Sequence, residues 1–124
     1  MVGFNIDLTS PVPAYQQVIQ ALKIEVISGR LKDGDRLPPI RELAKILKLN
    51  PNTVAKSYYT LEDEGFIESR PGSGNWVKVR ASVLDGLKRS LLDAETRAFL
   101  DKASSLGANI EDVHRAIERI TRHE

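Results

Sequence analysis

The chain contains no cysteine, which excludes disulfide bonds and thiolate metal sites. It has no apolar run long enough to cross a membrane, and no basic-then-apolar leader precedes its first residues. The two histidines, His114 and His123, have neither cysteines nor an acidic cluster at metal-ligand spacing. These absences predict a cytoplasmic protein without a metal or another cofactor.

Catalytic signatures are also missing. Gly72-Ser73-Gly74 lacks the downstream Gly-Lys-Ser/Thr of a phosphate-binding loop. No Ser/His/Asp set or pair of carboxylates stands out, so we expect a protein that is not an enzyme. The length of 124 residues suits one domain, or one small domain with an appendage, and the hydrophobic fraction of 41% is ordinary for a folded chain.

The net charge of +1 conceals an uneven distribution of charge. Residues 36–60 carry five basic residues against the single acid Glu42, a local charge of +4. The basic residues are Arg36, Arg41, Lys45, Lys48 and Lys56. Such a basic face suits an anionic partner. On charge alone, the alternative is a solvated helix face.

Prolines, a cap and the apolar spacing predict three helices in the first half of the chain. After a short strand or extended arm at residues 4–8, Pro13 opens a first helix that ends at Gly29. Pro38-Pro39 starts a second helix, and Asn50 caps a third that begins at Pro51. Since only a tight turn separates the second helix from the third, the pattern predicts a helix-turn-helix. Val54, Tyr58 and Leu61 form the predicted buried face of the third helix, whereas Tyr59 is predicted to be exposed.

A hairpin follows the third helix. Residues 66–70 and 75–79 are predicted strands, and residues 71–74 form the tight loop between them. A hairpin in this place is a wing, and its small residues let the backbone approach another molecule closely. Trp76 is predicted to lie in the core between the wing and a helix.

The tail is predicted to form two amphipathic helices, one over residues 82–106 and one capped by Asn109. Short helices joined by a turn cannot bury wide apolar faces alone, so a second copy of the chain is the simplest partner. The alternative is a monomer in which both helices pack back on the winged domain. We therefore divide the chain into a winged domain (1–80) and a helical dimerisation segment (81–124). The predicted dimerisation residues are Leu84, Leu87, Leu91, Phe99, Ile110, Val113, Ile117 and Ile120.

Residues 13–77, just over half of the chain, resemble a known family. The run LPPIRELAKILKLNPNTVAKSYYTLEDEGFIESRPGSGNWV (37–77), with PAYQQVIQALKIEVISGRLKDGDR (13–36) before it, is similar to the DNA-binding domain of the GntR family of transcriptional regulators. Only 47 residues follow Val77, and this short tail resembles the YtrA subfamily, in which the tail serves mainly for dimerisation. The NPNTV run is also typical of that subfamily.

The resemblance implies DNA contacts position by position. Arg41 matches an arginine that reads guanine, and Lys56 lies one place beyond the family's basic residue, where this chain has Ala55. The chain departs from the family pattern at Ile40 and at Asn75-Trp76. For Arg36, an ion pair with Asp33 or Asp35 is an equal alternative to a DNA contact. The candidate DNA-binding residues are Arg36, Arg41, Asn50, Asn52, Thr53, Lys56, Tyr59, Arg70, Gly72, Ser73 and Gly74.

The resemblance thus predicts a winged helix-turn-helix protein, mostly α with a small β-hairpin. Its expected function is that of a homodimeric repressor at an inverted-repeat operator in double-stranded DNA, in control of a membrane-transporter operon. One rival is a metabolite or metal sensor with a pocket at the dimer interface. Another is a winged-helix module that binds only proteins, against which the charge of +4 argues. No effector molecule can be named from the sequence.

Overall fold

Helices dominate the computed structural model, which describes residues 4–123. Five helices and one antiparallel hairpin follow each other within this range, as the predicted fold class requires. They are α1 (Ala14–Ile27), α2 (Ile40–Leu47), α3 (Pro51–Asp63), β1 (Ile67–Arg70), β2 (Gly74–Val77), α4 (Ala81–Ser105) and α5 (Ile110–Thr121). Residues 1–3 and 124, the outer ends of the two predicted domains, lie outside the described range.

The chain divides into two compact units between Leu87 and Lys88. The first unit holds α1 to β2 and the beginning of α4, because Leu84 and Leu87 pack against its core. The second unit holds the rest of α4 and α5. No helix within residues 4–123 is long and apolar enough to cross a membrane.

Residues 4–7 form an arm without a strand, and Leu8 begins a turn. Phe4 and Ile6 pack against the core of the first unit. The Gln17 side chain fastens the arm: its oxygen accepts from the Asp7 N–H at 2.9 Å, and its amide donates to the carbonyls of Asp7 (2.8 Å) and Val12 (2.9 Å). Of the two predicted forms, the structure shows the arm.

Local sequence sets the boundaries of α2 and α3. Pro39 precedes the first residue of α2, and Lys48 ends that helix in the left-handed region with φ 57°. The side-chain oxygen of Asn50 accepts from the Asn52 N–H at 2.8 Å, and Pro51 is the first helical residue of α3. The predicted cap is therefore confirmed, and the turn between the helices is as short as the sequence indicated.

The core of the first unit lies where α1, α2, α3 and the wing meet. Its side chains are almost wholly aliphatic, and the most deeply buried include Val18, Leu22, Leu37, Leu43, Val54, Leu61 and Val77. Tyr58 is buried as predicted, while Tyr59 is 72% exposed. Burial of this apolar surface supplies most of the free energy that holds the helices together.

Two buried hydroxyl groups connect α3 to the elements around it. Ser57 Oγ lies 2.9 Å from the carbonyl oxygen of Tyr15 in α1 and 3.0 Å from that of Thr53 in its own helix. Tyr58 Oη donates to the carbonyl of Pro38, just before α2, at 2.6 Å. Burial raises the pKa of the Tyr58 phenol, so this group stays a neutral donor.

The second unit is built around a capped turn. Asn109 accepts from the Asp112 N–H, and Asp112 accepts from the Asn109 N–H, each at 2.9 Å. This capping box satisfies two backbone donors at the start of α5. The backbone bond from Asn109 and the ion pair with Arg115 hold the pKa of Asp112 below its usual value.

We predict that Tyr58→Phe lowers the free energy of unfolding by about 1 kcal/mol, because it removes the donor to the Pro38 carbonyl and leaves the ring in place. Urea unfolding followed by circular dichroism measures the change. Tyr59→Phe is the matched control, since Tyr59 is exposed and should unfold as the wild type does. Equal losses in both variants would contradict the structural role assigned to the Tyr58 hydroxyl.

Candidate nucleic-acid interface

All five basic residues of the segment 36–60 are exposed. Within residues 4–123, ion pairs occupy Lys23, Arg30, Arg70, Lys78, Arg115 and Arg122, and none involves these five. Their charges are therefore not neutralised within the described part of the chain. An anionic partner would meet a local surplus of positive charge.

The start of α3 presents short polar side chains beside the positive end of a helix dipole. Asn52 is exposed and Thr53 half-buried in the first turn. The Asn50 oxygen is committed to the cap at 2.8 Å, which leaves its amide N–H groups as donors. Backbone N–H groups and the dipole at a helix start favour an anion such as a phosphate.

Arg41 lies in the first turn of α2, at its second residue. Its side chain is exposed and makes neither an ion pair nor a side-chain hydrogen bond among residues 4–123. The guanidinium group therefore keeps all its donors for another molecule. Two of these donors in one plane match the O6 and N7 acceptors of guanine in a major groove.

Lys56 and Tyr59 follow on the outer surface of α3. The Lys56 ammonium lies 3.8 Å from the centre of the Tyr15 ring, so α1 supports this lysine by a cation–π contact. Tyr59 is exposed and makes no side-chain hydrogen bond within the described residues. Both side chains remain accessible to a ligand.

The wing tip is a tight turn of small residues. The N–H of Ser73 donates to the carbonyl of Arg70 at 2.9 Å, and Gly72 between them has φ 74°. Proline followed by glycine at positive φ is the signature of a type II turn, which explains Pro71-Gly72. Gly74 also has a positive φ, of 109°. The tip thus exposes backbone at Gly72, with few side-chain atoms to hold a partner away.

Trp76 lies on the outer face of the wing, and the predicted core position is wrong. The register pairs Ile67 with Val77 and Glu68 with Trp76. Since side chains alternate across a strand, the burial of Ile67 and Val77 places Trp76 on the opposite face. The alternation of Val77 and Val79 in the sequence already carried this signal.

Two arginines lie over the Trp76 ring. The guanidinium carbon of Arg70 is 5.0 Å from the ring centre, and that of Arg36 is 6.0 Å from it. Arg36 and Trp76 also form an isolated antiparallel bridge, so the loop before α2 runs beside β2. We call Arg36, Arg70 and Trp76 the arginine–tryptophan cluster.

The structure separates the two alternatives for Arg36. Asp33 accepts from the Val79 N–H at 2.9 Å, and Asp35 accepts from the Lys32 N–H at 2.8 Å. Neither aspartate forms an ion pair with Arg36 within the described residues. The alternative of an internal ion pair is therefore not observed among these residues, and the guanidinium lies against the Trp76 ring of the wing.

Glu68 lies beside the cluster, and its carboxylate forms ion pairs with Arg70 and Lys78. Its Oε2 is 3.4 Å from both Arg70 Nη2 and Lys78 Nζ. Desolvation acts to raise the pKa of Glu68, but Lys78 and Arg70 together hold it below the usual value. Glu68 therefore stays ionised and steadies the Arg70 side chain.

Most predicted dimerisation residues of the second unit leave apolar surface exposed: Leu91, Phe99, Ile110, Ile117 and Ile120. Val113 differs, because it is only 6% exposed and already packs within the chain. Leu84 and Leu87 belong to the first unit and are half-buried there. Within residues 4–123 no group of three or more histidine, aspartate or glutamate side chains is placed to hold a metal ion.

Comparisons with known proteins extend over both units. Residues 14–77 match the gntR family of bacterial regulatory proteins. The chain is 37% identical over 119 residues to the HTH-type transcriptional repressor YtrA of Bacillus subtilis (strain 168). The aligned region covers 94% of this chain and 91% of that protein.

Solved structures of GntR-family proteins also resemble the fold of this chain. A GntR family transcriptional regulator from Listeria monocytogenes superposes with a TM-score of 0.80 at 27% identity, over 92% of this chain and 98% of that chain. YtrA from Sulfolobus acidocaldarius, a GntR-family transcription factor, gives a TM-score of 0.58 at 33% identity, over 97% of each chain. The similarity therefore includes the tail as well as the winged domain.

Proposed function

The chain belongs to the GntR family and is a DNA-binding transcriptional regulator, and we propose that it acts as a homodimeric repressor at an inverted-repeat operator. The observation that carries the proposal is the set of five exposed cations of residues 36–60, none of them ion-paired in the described chain. Arg41, Lys45 and Lys48 lie in or at the end of α2, the helix before the capped start of α3, and Lys56 lies in α3 itself. A capped helix start in a helix-turn-helix suits insertion into a major groove. Lysines and helix N-termini then hold phosphates, and Arg41 with Asn52 reads bases.

The exposed apolar residues of the second unit support the homodimer. Ile110, Ile117 and Ile120 are spaced for one face of α5, and each is more than half exposed in the single chain. A second copy would cover these side chains by two-fold symmetry. Two recognition helices related by that symmetry would read two half-sites roughly 10 bp apart, centre to centre.

Repression is proposed from the relative in Bacillus subtilis, which is a transcriptional repressor. The resemblance to the YtrA subfamily extends the proposal to a membrane-transporter operon that includes the gene for this chain. The regulator would work in the cytoplasm, where it meets the chromosome. A genome-wide binding map tests the targets, and a reporter gene fused to the bound promoter should rise in expression when the regulator is deleted. A fall would make the protein an activator.

We predict that Arg41→Ala removes the preference for operator over scrambled DNA but leaves the fold and weak non-specific binding. Loss of a bidentate contact to guanine costs ~1–3 kcal/mol at each half-site. Gel-shift titrations with both duplexes measure the preference. Arg119→Ala, which removes an exposed arginine of α5, is the matched control and should bind as the wild type does. Equal losses on both duplexes would make Arg41 a phosphate contact only.

Lys56→Ala is expected to weaken binding to all sequences alike. The magnitude of the slope of log affinity against log salt should fall by ~0.9 for each phosphate that the variant no longer neutralises. Lys102→Ala in α4 is the control for the removal of one exposed lysine. Because Lys56 also contacts the Tyr15 ring, urea unfolding is measured in parallel. An unchanged salt slope would refute the phosphate contact.

Ile117→Asp should break the dimer, since burial of an unpaired carboxylate at an apolar interface is costly. A monomer binds one half-site at a time and loses the gain from linked sites, ~100-fold or more in affinity. Light scattering reports the mass, and gel shift reports the affinity. Arg119→Asp is the control, because about 200° around the helix separates it from Ile117. A dimeric Ile117→Asp variant with normal affinity would show that the tail is not the dimerisation element.

A further inference from the structure

The arginine–tryptophan cluster joins three parts of the chain on one face of the wing. Arg70 ends β1, Trp76 lies in β2, and Arg36 comes from the loop before α2. The register pairs Arg70 with Gly74 and Glu68 with Trp76, so all four positions share the outer face. The wing thus carries two guanidinium groups beside the exposed turn at Gly72.

Gly74 makes room for one of these guanidinium groups. A Cβ atom at Gly74 would lie 3.0 Å from Arg36 Nε and 3.1 Å from Nη2. The backbone of β2 and the Trp76 ring therefore hold Arg36 from two directions. Arg70 is held by the same ring and by Glu68, at 3.4 Å. Each arginine has a contact that fixes its position before any ligand arrives.

The indole ring of Trp76 contacts its neighbours through its faces and makes no hydrogen bond through its N–H group among the described residues. Trp76 Nε1 is buried without a hydrogen-bond partner, the one such side-chain atom within residues 4–123. A buried donor normally finds a partner, so this ring is an exception that no hydrogen bond to a described residue holds in place. Among the described residues, the cations that lie over its π system are the two guanidinium groups.

A guanidinium group over an aromatic ring keeps its recognition chemistry. The cation is attracted to the π system, while the N–H donors stay in the guanidinium plane. Those donors match phosphate oxygens in a bidentate arrangement. An arginine ordered in advance also loses less side-chain entropy on binding. Arg36, Arg70 and Lys78 outnumber Glu68, the carboxylate that forms ion pairs with Arg70 and Lys78, which favours an anionic partner.

We propose that Trp76 is a positioning residue, which holds Arg36 and Arg70 as a pair to receive backbone phosphates of the DNA beside the wing. This inference rests on the proposed function, because it assigns both arginines to the DNA contact. Trp76 itself needs no contact with a base. The pair would add to affinity for every sequence, since phosphate contacts do not read sequence.

The test measures the salt dependence of binding to a mixed-sequence duplex for the full chain. Arg36→Ala and Arg70→Ala should each lower the magnitude of the log–log slope by ~0.9 per protomer. Trp76→Leu, which keeps both charges, should lower it by up to ~1.8 per protomer because the arginines lose their support. Trp76→Phe retains an aromatic ring and should keep most of the wild-type slope. Urea unfolding of each variant reports its folded fraction.

A double-mutant cycle separates positioning from a general weakening of the fold. In a background of Arg36→Ala with Arg70→Ala, Trp76→Leu should change affinity by less than about 2-fold further, since its effect acts through those arginines. Combined with Lys56→Ala, it should remain additive. A slope that stays at the wild-type value in Trp76→Leu, or full additivity with the two arginine substitutions, would overturn the inference.

The proposed function and this inference can fail separately. If Arg41→Ala and Lys56→Ala weaken binding but Arg36→Ala and Arg70→Ala leave the slope unchanged, the inference is wrong and the DNA-binding surface of α2 and α3 stands. If the wild-type chain binds neither this duplex nor any genomic fragment, both fail.

A weakening in Trp76→Leu that occurs only on A·T-rich duplexes, with the slope unchanged, would point to base contacts in the minor groove and overturn the assignment to phosphates.

Discussion

Tyr58 donates a hydrogen bond of 2.6 Å to the carbonyl of Pro38, and through it α3 is held against the start of α2. Ser57, the residue before it, makes the corresponding bond from α3 to α1 at 2.9 Å. Both hydroxyl groups are buried, so a shift of α3 would leave polar atoms unsatisfied as well as open the core. These two bonds orient the capped end of α3 and the exposed side of the helix. The surface available to DNA depends on this orientation.

Charge on the candidate surface is arranged in two ways. The cations of residues 36–60 make no ion pair in the described chain, which keeps them available for phosphates. On the wing, Glu68 pairs with Arg70 and Lys78, while Trp76 supports Arg70 and Arg36. A surface ion pair contributes little to stability. In our proposal, the wing contacts matter because they order the long side chains of Arg36 and Arg70 before these residues contact the DNA.

Several features could be predicted because they depend on near neighbours in sequence. The Asn50 cap, Pro51 at the first position of α3 and the left-handed Gly29 just beyond the end of α1 each follow from the backbone requirements of one or two residues. The same holds for the turn at the wing tip. The burial of Tyr58 and the exposure of Tyr59 followed from helical periodicity once the helix was placed.

Contacts between residues that are distant in sequence could not be predicted from local sequence patterns. Trp76 was predicted to lie in the core between the wing and a helix, yet the register of the hairpin turns it to the face that Arg36 and Arg70 cover. The close approach of the Arg36 side chain to Gly74 and the cation–π contact of Lys56 with Tyr15 likewise join residues far apart in the chain. Val113 has a side chain suited to an interface between chains, but it is buried within its own chain.

The amino-acid sequence by itself determined the order of the elements, the caps, the wing turn and the concentration of positive charge before and within α3. These are local properties, because hydrogen bonds at helix ends, backbone angles and apolar spacing act over a few residues. Only the tertiary structure decided which cations stay unpaired, which aromatic rings support them and which apolar side chains remain exposed. Those outcomes depend on which distant side chains occupy the same space, and the spacing of residues along the chain does not contain that information.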